Sequence, residues 1–219
     1  MITSTRTAIV TGGASGIGKA IATRLARDGI AVAIADKDEK QAAEVASNIQ
    51  NGPQIISLGV DVSDRNSVEN MIELSHKRLG SLDILICNAG NGKSAPPGQD
   101  TFQDWENMFK ANFYSAVNAV DAARPFLKDS QGSIVCISSI CGNEVIKGAP
   151  ISYSVAKAAL NSYVKAMAWP LSKEKIRINA VSPGNINFQG SSWEKKLNDQ
   201  KIKFNKSLQA NNQTVTKVG

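Results

Sequence analysis

The run TAIV at 7–10 passes without a break into TGGASGIG at 11–18 and then into a helical pattern. A short β-prone apolar run reads as a buried strand. Gly12, Gly16 and Gly18, spaced GxxxGxG, permit a turn tight enough to send the chain straight into a helix, and they let another group approach the backbone closely. That helix presents free N–H groups and the positive end of its dipole to whatever lies in the turn, which suits a phosphate. A glycine-rich turn alone can be purely structural. Placed between a first strand and a first helix, with Ser15 and Ile17 completing the turn, it reads as a nucleotide site.

The alternation continues. Strand patterns fall at Thr7–Val10, Ala31–Ala35, Gln54–Val60, Leu82–Cys87, Gly132–Ser138 and Ile176–Val181. Helical patterns fill the gaps at Gly16–Arg27, Asp38–Gln50, Asp64–Leu79, Phe102–Leu127 with a break or bend, and Ser152–Ser172. Nearly continuous apolar strands separated by helices imply an α/β fold with a doubly wound parallel sheet covered on both faces. Right-handed crossovers give the strand order 3-2-1-4-5-6, with ligands at the carboxyl ends where the winding reverses. A length of 219 residues suits one such domain. Pro170 is expected to kink or end the last helix near Ala168. The Gly/Pro-rich loop at 91–100 should line the cleft.

Two further clusters carry chemistry. Tyr153 and Lys157 stand at i,i+4 and so share a helix face. A phenol titrates near about 10 in water, and a neighbouring ammonium should lower that value towards a usable acid/base. Ser139 ends the small-residue strand just upstream. Asp36 ends the second strand, 18 residues after Gly18, where a carboxylate can accept hydrogen bonds from a ribose diol and repel a 2′-phosphate. Its plainer role is to cap the following helix. Asp61 ends the third strand and either caps the next helix or reaches an adenine. His76 is the single histidine, on a polar helix with Glu73 and Lys77, and reads as a solvated side chain. A histidine triad or a metal site is therefore not expected. Cys87, Cys136 and Cys141 lack metal spacing, and the first two lie in apolar strands as buried thiols.

Taken in order, TGGASGIG, the Asp61–Val62 pair, CNAG at 87–90, Asn112 in MFKANFYS, the ISS ending at Ser139, YSVAK and NAVSPG at 179–184 resemble the classical short-chain dehydrogenase/reductase family. The resemblance covers residues from about 6 to 188. It implies NAD(P)-dependent oxidation of an alcohol or reduction of a carbonyl, with a small-molecule substrate. By position Tyr153 would be the acid/base and Ser139 would hold the substrate oxygen. Lys157 would bind the nicotinamide ribose and lower the phenol pKa, and Asn112 would anchor a relay water. Asn88, Ala89 and Gly90 would line the adenine and ribose side, with Asp61 and Val62 near them. Pro183, Gly184 and Ile186 would face the nicotinamide. An acid at Asp36 implies NAD, with NADP as the alternative because Lys37 is adjacent.

Several features depart from the pattern. Cys87 stands where the family often has asparagine. Ser139 and Tyr153 are 14 residues apart, one more than the commonest spacing. Phe188 replaces the usual threonine after PGxIx, leaving backbone groups of Ile186 to meet the carboxamide. The sequence stops at Gly219, where the family usually adds a helix and a seventh strand. The expectation is a dinucleotide-binding and catalytic domain over 1–190, a sheet edge at the sixth strand, and a loosely packed partial lid over 191–219. Trp193, Leu197, Phe204 and Leu208 there form one helical stripe. From Ser191 onward the chain carries +4 of the formal +6 charge. That tail holds no arginine and reads as a solvated face, so nucleic acid is disfavoured. No apolar run reaches the length of a membrane span and no signal pattern opens the chain, so a cytoplasmic protein is expected, and the family resemblance implies a homodimer or homotetramer. The alternative function is a catalytically impaired nucleotide-binding or partner-binding protein of the same fold.

Overall fold

Six strands, β1 (Thr7–Thr11), β2 (Ala31–Asp36), β3 (Ile55–Gly59), β4 (Ile84–Cys87), β5 (Ser133–Ile137) and β6 (Arg177–Val181), pair in parallel in the order β3-β2-β1-β4-β5-β6. The computed structural model describes residues 5–49, 52–188, 194 and 215–217. The connections carry α1 (Gly16–Arg27), α2 (Glu39–Asn48), α3 (Arg65–Leu79), α4 (Phe102–Phe109), α5 (Ser115–Ser130) and α6 (Ile151–Ser172). β1 is buried along its whole length because helices cover both its faces. Ala22 and Ala26 of α1 and Ala42 and Val45 of α2 pack on one side. Val68 and Ile72 of α3, Val120 of α5, and Leu160 and Val164 of α6 pack on the other. The winding reverses between β1 and β4, and their carboxyl ends open the cleft.

The caps explain two choices left open by the sequence. Asp38, not Asp36, caps α2 by accepting from Gln41 N–H, and Asp64, not Asp61, caps α3 by accepting from Asn66 N–H. The two strand-end carboxylates are thus released for the cleft.

The break expected in 102–127 is a π-helical turn, Lys110–Tyr114, between α4 and α5. It contains Asn112, which is buried. Such wide turns recur at functional sites, where they re-aim a side chain. Pro170 does not end α6: the helix runs two residues further, to Ser172, because fully buried Leu171 ties its last turn to the core. His76 is not simply solvated, since its ring stacks on Phe126 with centroids 4.4 Å apart. Cys87 and Cys136 are buried free thiols, as their strands suggested.

Among the described residues the sheet ends on β6, four of whose five residues are exposed. A short β7 (Asn185–Asn187) leaves the main sheet and pairs in parallel with β8 (Val215–Lys217). The helical stripe from Trp193 to Leu208 and the expected loose packing of the lid lie outside the described residues. No described helix is long and apolar enough to cross a membrane.

Candidate active site

The glycine turn is fixed by the ends of β1 and β4. Thr11 Oγ1 accepts from the N–H groups of Asn88 at 3.0 Å and Ala89 at 3.1 Å, and donates to Ile86 O at 3.2 Å. Asn88 Nδ2 donates to the carbonyls of Thr11 and Gly12, both at 3.0 Å. Gly18 packs so tightly that a Cβ there would run into the Gly12 carbonyl oxygen and lie 2.5 Å from Asn88 Nδ2. Any side chain at 18 would push the turn off the helix end. Ser15 occupies the cap position of α1 without a side-chain cap bond, and the first turn holds no acidic residue. Neither the Ser15 side chain nor a first-turn carboxylate therefore competes with an anion for the N–H groups and positive dipole of the helix end.

Beside this turn lies a cavity of about 680 Å³. Gly12, Ser15, Gly16, Ile17, Asp36, Asp61, Val62, Asn88, Ala89 and Gly90 line it. Asp36 Oδ2 accepts from Ala14 N–H at 3.0 Å and Oδ1 accepts from Asp38 N–H at 3.1 Å, so this carboxylate ties the turn to β2. Asp61 Oδ1 accepts from the hydroxyl and the N–H of Ser63, at 2.6 and 3.0 Å. Those bonds, the hydroxyl first, hold its carboxyl below the ordinary carboxylate range. Lys37 Nζ lies 3.8 Å from Asp61 Oδ2, an exposed pair.

A second cavity of about 270 Å³ is lined by Asn112, Ser139, Tyr153, Lys157, Pro183, Gly184 and Ile186. It shares Ile17, Asn88, Gly90, Asn91 and Phe188 with the first, so the two form one elongated cleft. The residues expected at its catalytic end converge there, brought by β5, α6 and the π turn. Lys157 is buried and donates through Nζ to Ile137 O at 2.8 Å. Burial pushes its ammonium down to about 8, against a weaker opposing pull from Cys136 and Cys87. Nζ lies 5.9 Å from the Tyr153 ring centroid. The phenol is pushed up from its ordinary value by burial, with Ser139 acting in the other direction. The lowered phenol pKa expected from the i,i+4 spacing is thus corrected. Desolvation outweighs the Ser139 hydrogen bond, and the Lys157 amine is bound to a backbone carbonyl and is itself depressed.

Asn112 has its side chain engaged with Asn91. Oδ1 accepts from Asn91 N–H at 3.1 Å, and Nδ2 donates to Asn91 O at 2.9 Å and Met108 O at 3.1 Å. A Cβ on Gly90 would lie 2.7 Å from Asn112 Oδ1 and 3.5 Å from Lys157 Nζ, so this glycine keeps the amide and the amine close. Ser139 Oγ accepts from Cys141 N–H at 3.2 Å and starts a 3₁₀ turn, Ile140–Gly142, which takes up part of the longer spacing before Tyr153. Sequence reasoning missed the supports: Thr11, Asn91, and a cluster in which Asp100 Oδ1 accepts from Ser94 Oγ at 2.9 Å and from the buried Ser152 Oγ. That cluster pins the 91–100 loop to the turn that carries Tyr153. An acid closing a Ser/Gly/Pro loop was the one signal for it.

The donor set fits a dinucleotide. An uncapped helix end suits a pyrophosphate, a carboxylate at the end of β2 suits a ribose diol, and the narrow approaches at Gly18 and Gly90 would be filled by any Cβ. The comparisons agree in kind. The sequence profile described as short chain dehydrogenase matches residues 6–200. An uncharacterized oxidoreductase of Staphylococcus saprophyticus is 35% identical over 184 residues, covering 83% of this chain and 78% of that protein. A 7α-hydroxysteroid dehydrogenase solved with NADH and 7-oxo glycochenodeoxycholic acid is 27% identical and superposes with a TM-score of 0.86 over 97% of this chain and 82% of its own. A 3-ketoacyl-ACP reductase from Sinorhizobium meliloti is 35% identical, with a TM-score of 0.79 over 83% and 73%.

Proposed function

The chain belongs to the short-chain dehydrogenase/reductase family, and from that premise we propose that it interconverts an alcohol and a carbonyl with NAD, using Tyr153 as the acid/base. The observation that carries the reading is the single cleft, which joins an uncapped helix N-terminus at one end to Ser139, Tyr153 and Lys157 at the other. The bound nicotinamide supplies the hydride acceptor or donor. Gly12, Gly16 and Gly18 would border its pyrophosphate, Asp36 would accept from the adenosine ribose, and Ile186 backbone groups would meet the carboxamide. Ser139 orients the substrate oxygen and Tyr153 gives or takes its proton. Lys157 would bind the second ribose and would return the proton towards solvent past Gly90 and Asn112. NADH titration followed by turnover on a panel of ketones and aldehydes tests this. Binding without turnover on any of them would favour the impaired, binding-only alternative.

NAD should bind more tightly than NADP. A 2′-phosphate would meet the Asp36 carboxylate, and Lys37 is directed to Asp61. Asp36→Ala should narrow the ratio of the two dissociation constants by roughly fivefold, the worth of about 1 kcal/mol between charges some 4 Å apart in water. Equal constants in the unaltered protein would refute the preference.

A homodimer is proposed through α4, α5 and α6. Phe102 is 79% exposed, Tyr114 49% and Trp169 73%, more aromatic surface than an isolated helical face needs to show. Light scattering at micromolar concentration should give twice the chain mass, and a monomer would refute it.

A further inference from the structure

We infer that Phe188 is a gate on the pyrophosphate seat, a positioning residue whose ring must leave Gly16 before a dinucleotide can span the cleft. The inference rests on the proposed dinucleotide reading and adds to it a residue that governs entry. A Cβ built on Gly16 would lie 2.5, 2.8 and 2.9 Å from Cζ, Cε1 and Cε2 of Phe188, so the far edge of the ring points at the first residue of α1. That residue begins the helix whose end is left uncapped by Ser15. Phe188 also lines both cavities, together with Ile17, Asn88 and Gly90, which places it at the waist between the adenosine and nicotinamide halves. An aromatic edge offers a phosphate no hydrogen bond and no charge, whereas the N–H groups behind it offer both. Ring and phosphate are therefore alternative occupants of one seat. The ring follows directly on Asn187 of β7, which is in register with Lys217 of β8, so the gate sits at the end of that ribbon.

A competing conformer lowers apparent affinity in proportion to its population. If the ring-in state holds about nine parts in ten, removing the ring should tighten NADH binding by about tenfold. The test compares the unaltered protein with Phe188→Ala and Phe188→Leu. Circular dichroism confirms the fold, NADH is titrated by nicotinamide fluorescence, and adenosine is titrated by saturation-transfer NMR. Both variants should bind NADH more tightly, the alanine more than the leucine, with adenosine affinity unchanged because adenosine carries no phosphate into the seat. NADH binding that weakens or stays the same in both variants overturns the gate, since the ring would then be stacking on the cofactor or standing clear of it. Adenosine binding that tightens equally overturns it too, because the effect would not lie at the pyrophosphate. Absence of NADH and NADPH binding in all three proteins would remove the dinucleotide reading itself, and the gate with it.

Discussion

Replacing Tyr153 by phenylalanine is expected to cut turnover by about 10²–10⁴-fold, the usual worth of one positioned acid/base, while leaving NADH affinity unchanged. The substitution keeps the ring that packs against the cleft and removes only the exchangeable proton. Because burial raises the phenol above its ordinary value, the free protein holds Tyr153 protonated throughout the neutral range. Carbonyl reduction uses that protonated form, so its rate should be flat with pH up to and beyond neutrality. Alcohol oxidation needs the phenolate, so its rate should climb with rising pH over the same range. The rise of oxidation with pH should vanish from whatever activity the phenylalanine variant retains. Unchanged turnover in that variant would remove Tyr153 from the reaction. An oxidation rate that is flat between pH 7 and 9 would show that the phenol does not keep its raised value once substrate and cofactor are in place.

Sheet order was legible because parallel strands buried on both faces leave a plain signal. TAIV, AVAIA and ILIC are short apolar runs that no amphipathic helix would produce. The converging site was legible for a related reason: the topology delivers each strand end to one edge, so residues just after strands must meet there. Asp36, Asp61, Asn88 and Ser139 all sit at such positions. What the sequence left undecided was local competition. Asp36 and Asp38 are both plausible caps for α2, and only the φ/ψ of the chain selects Asp38. Nothing in MFKANFYS distinguishes a π turn from an α-helix, because the two differ by one residue in hydrogen-bond register.

Protonation states were the least legible feature. The i,i+4 spacing of Tyr153 and Lys157 correctly implied proximity, and Coulomb's law then implied a lowered phenol. Burial, which no spacing reports, reverses the sign. The position of Phe188 was equally hidden. The sequence marks it as a departure from a family pattern, but its contact with Gly16 spans more than 170 residues of chain and depends on the course of β7.

Lys157→Met is expected to abolish productive turnover and yet stabilise the fold at pH 7 by about 2 kcal/mol. The ammonium falls from 10.5 to about 8 on folding, which corresponds to a burial cost of about 3 kcal/mol at 1.36 kcal/mol for each unit. Methionine fills nearly the same volume without that cost, and loses the hydrogen bond to Ile137 O, worth about 1 kcal/mol. The sign with pH follows from linkage. Below pH 8 the lysine is charged in both folded and unfolded chains, so the full penalty stands. Between about 8 and 10.5 the folded chain releases the proton first, the unfolded chain binds more protons, and stability rises with pH. Above 10.5 neither state is charged and the penalty is gone. The advantage of the methionine variant should therefore be constant below pH 8, shrink through the next two to three units, and turn into a deficit of about 1 kcal/mol from the unpaired Ile137 carbonyl. Denaturant unfolding of both proteins at pH 7, 9 and 10.5 reads this out as a difference in which the titrating groups that do not sense Lys157 cancel. A gap that does not change with pH, or a variant less stable at pH 7, would mean that the amine is not depressed by burial. Its depression would then play no part in setting the proton path from Tyr153.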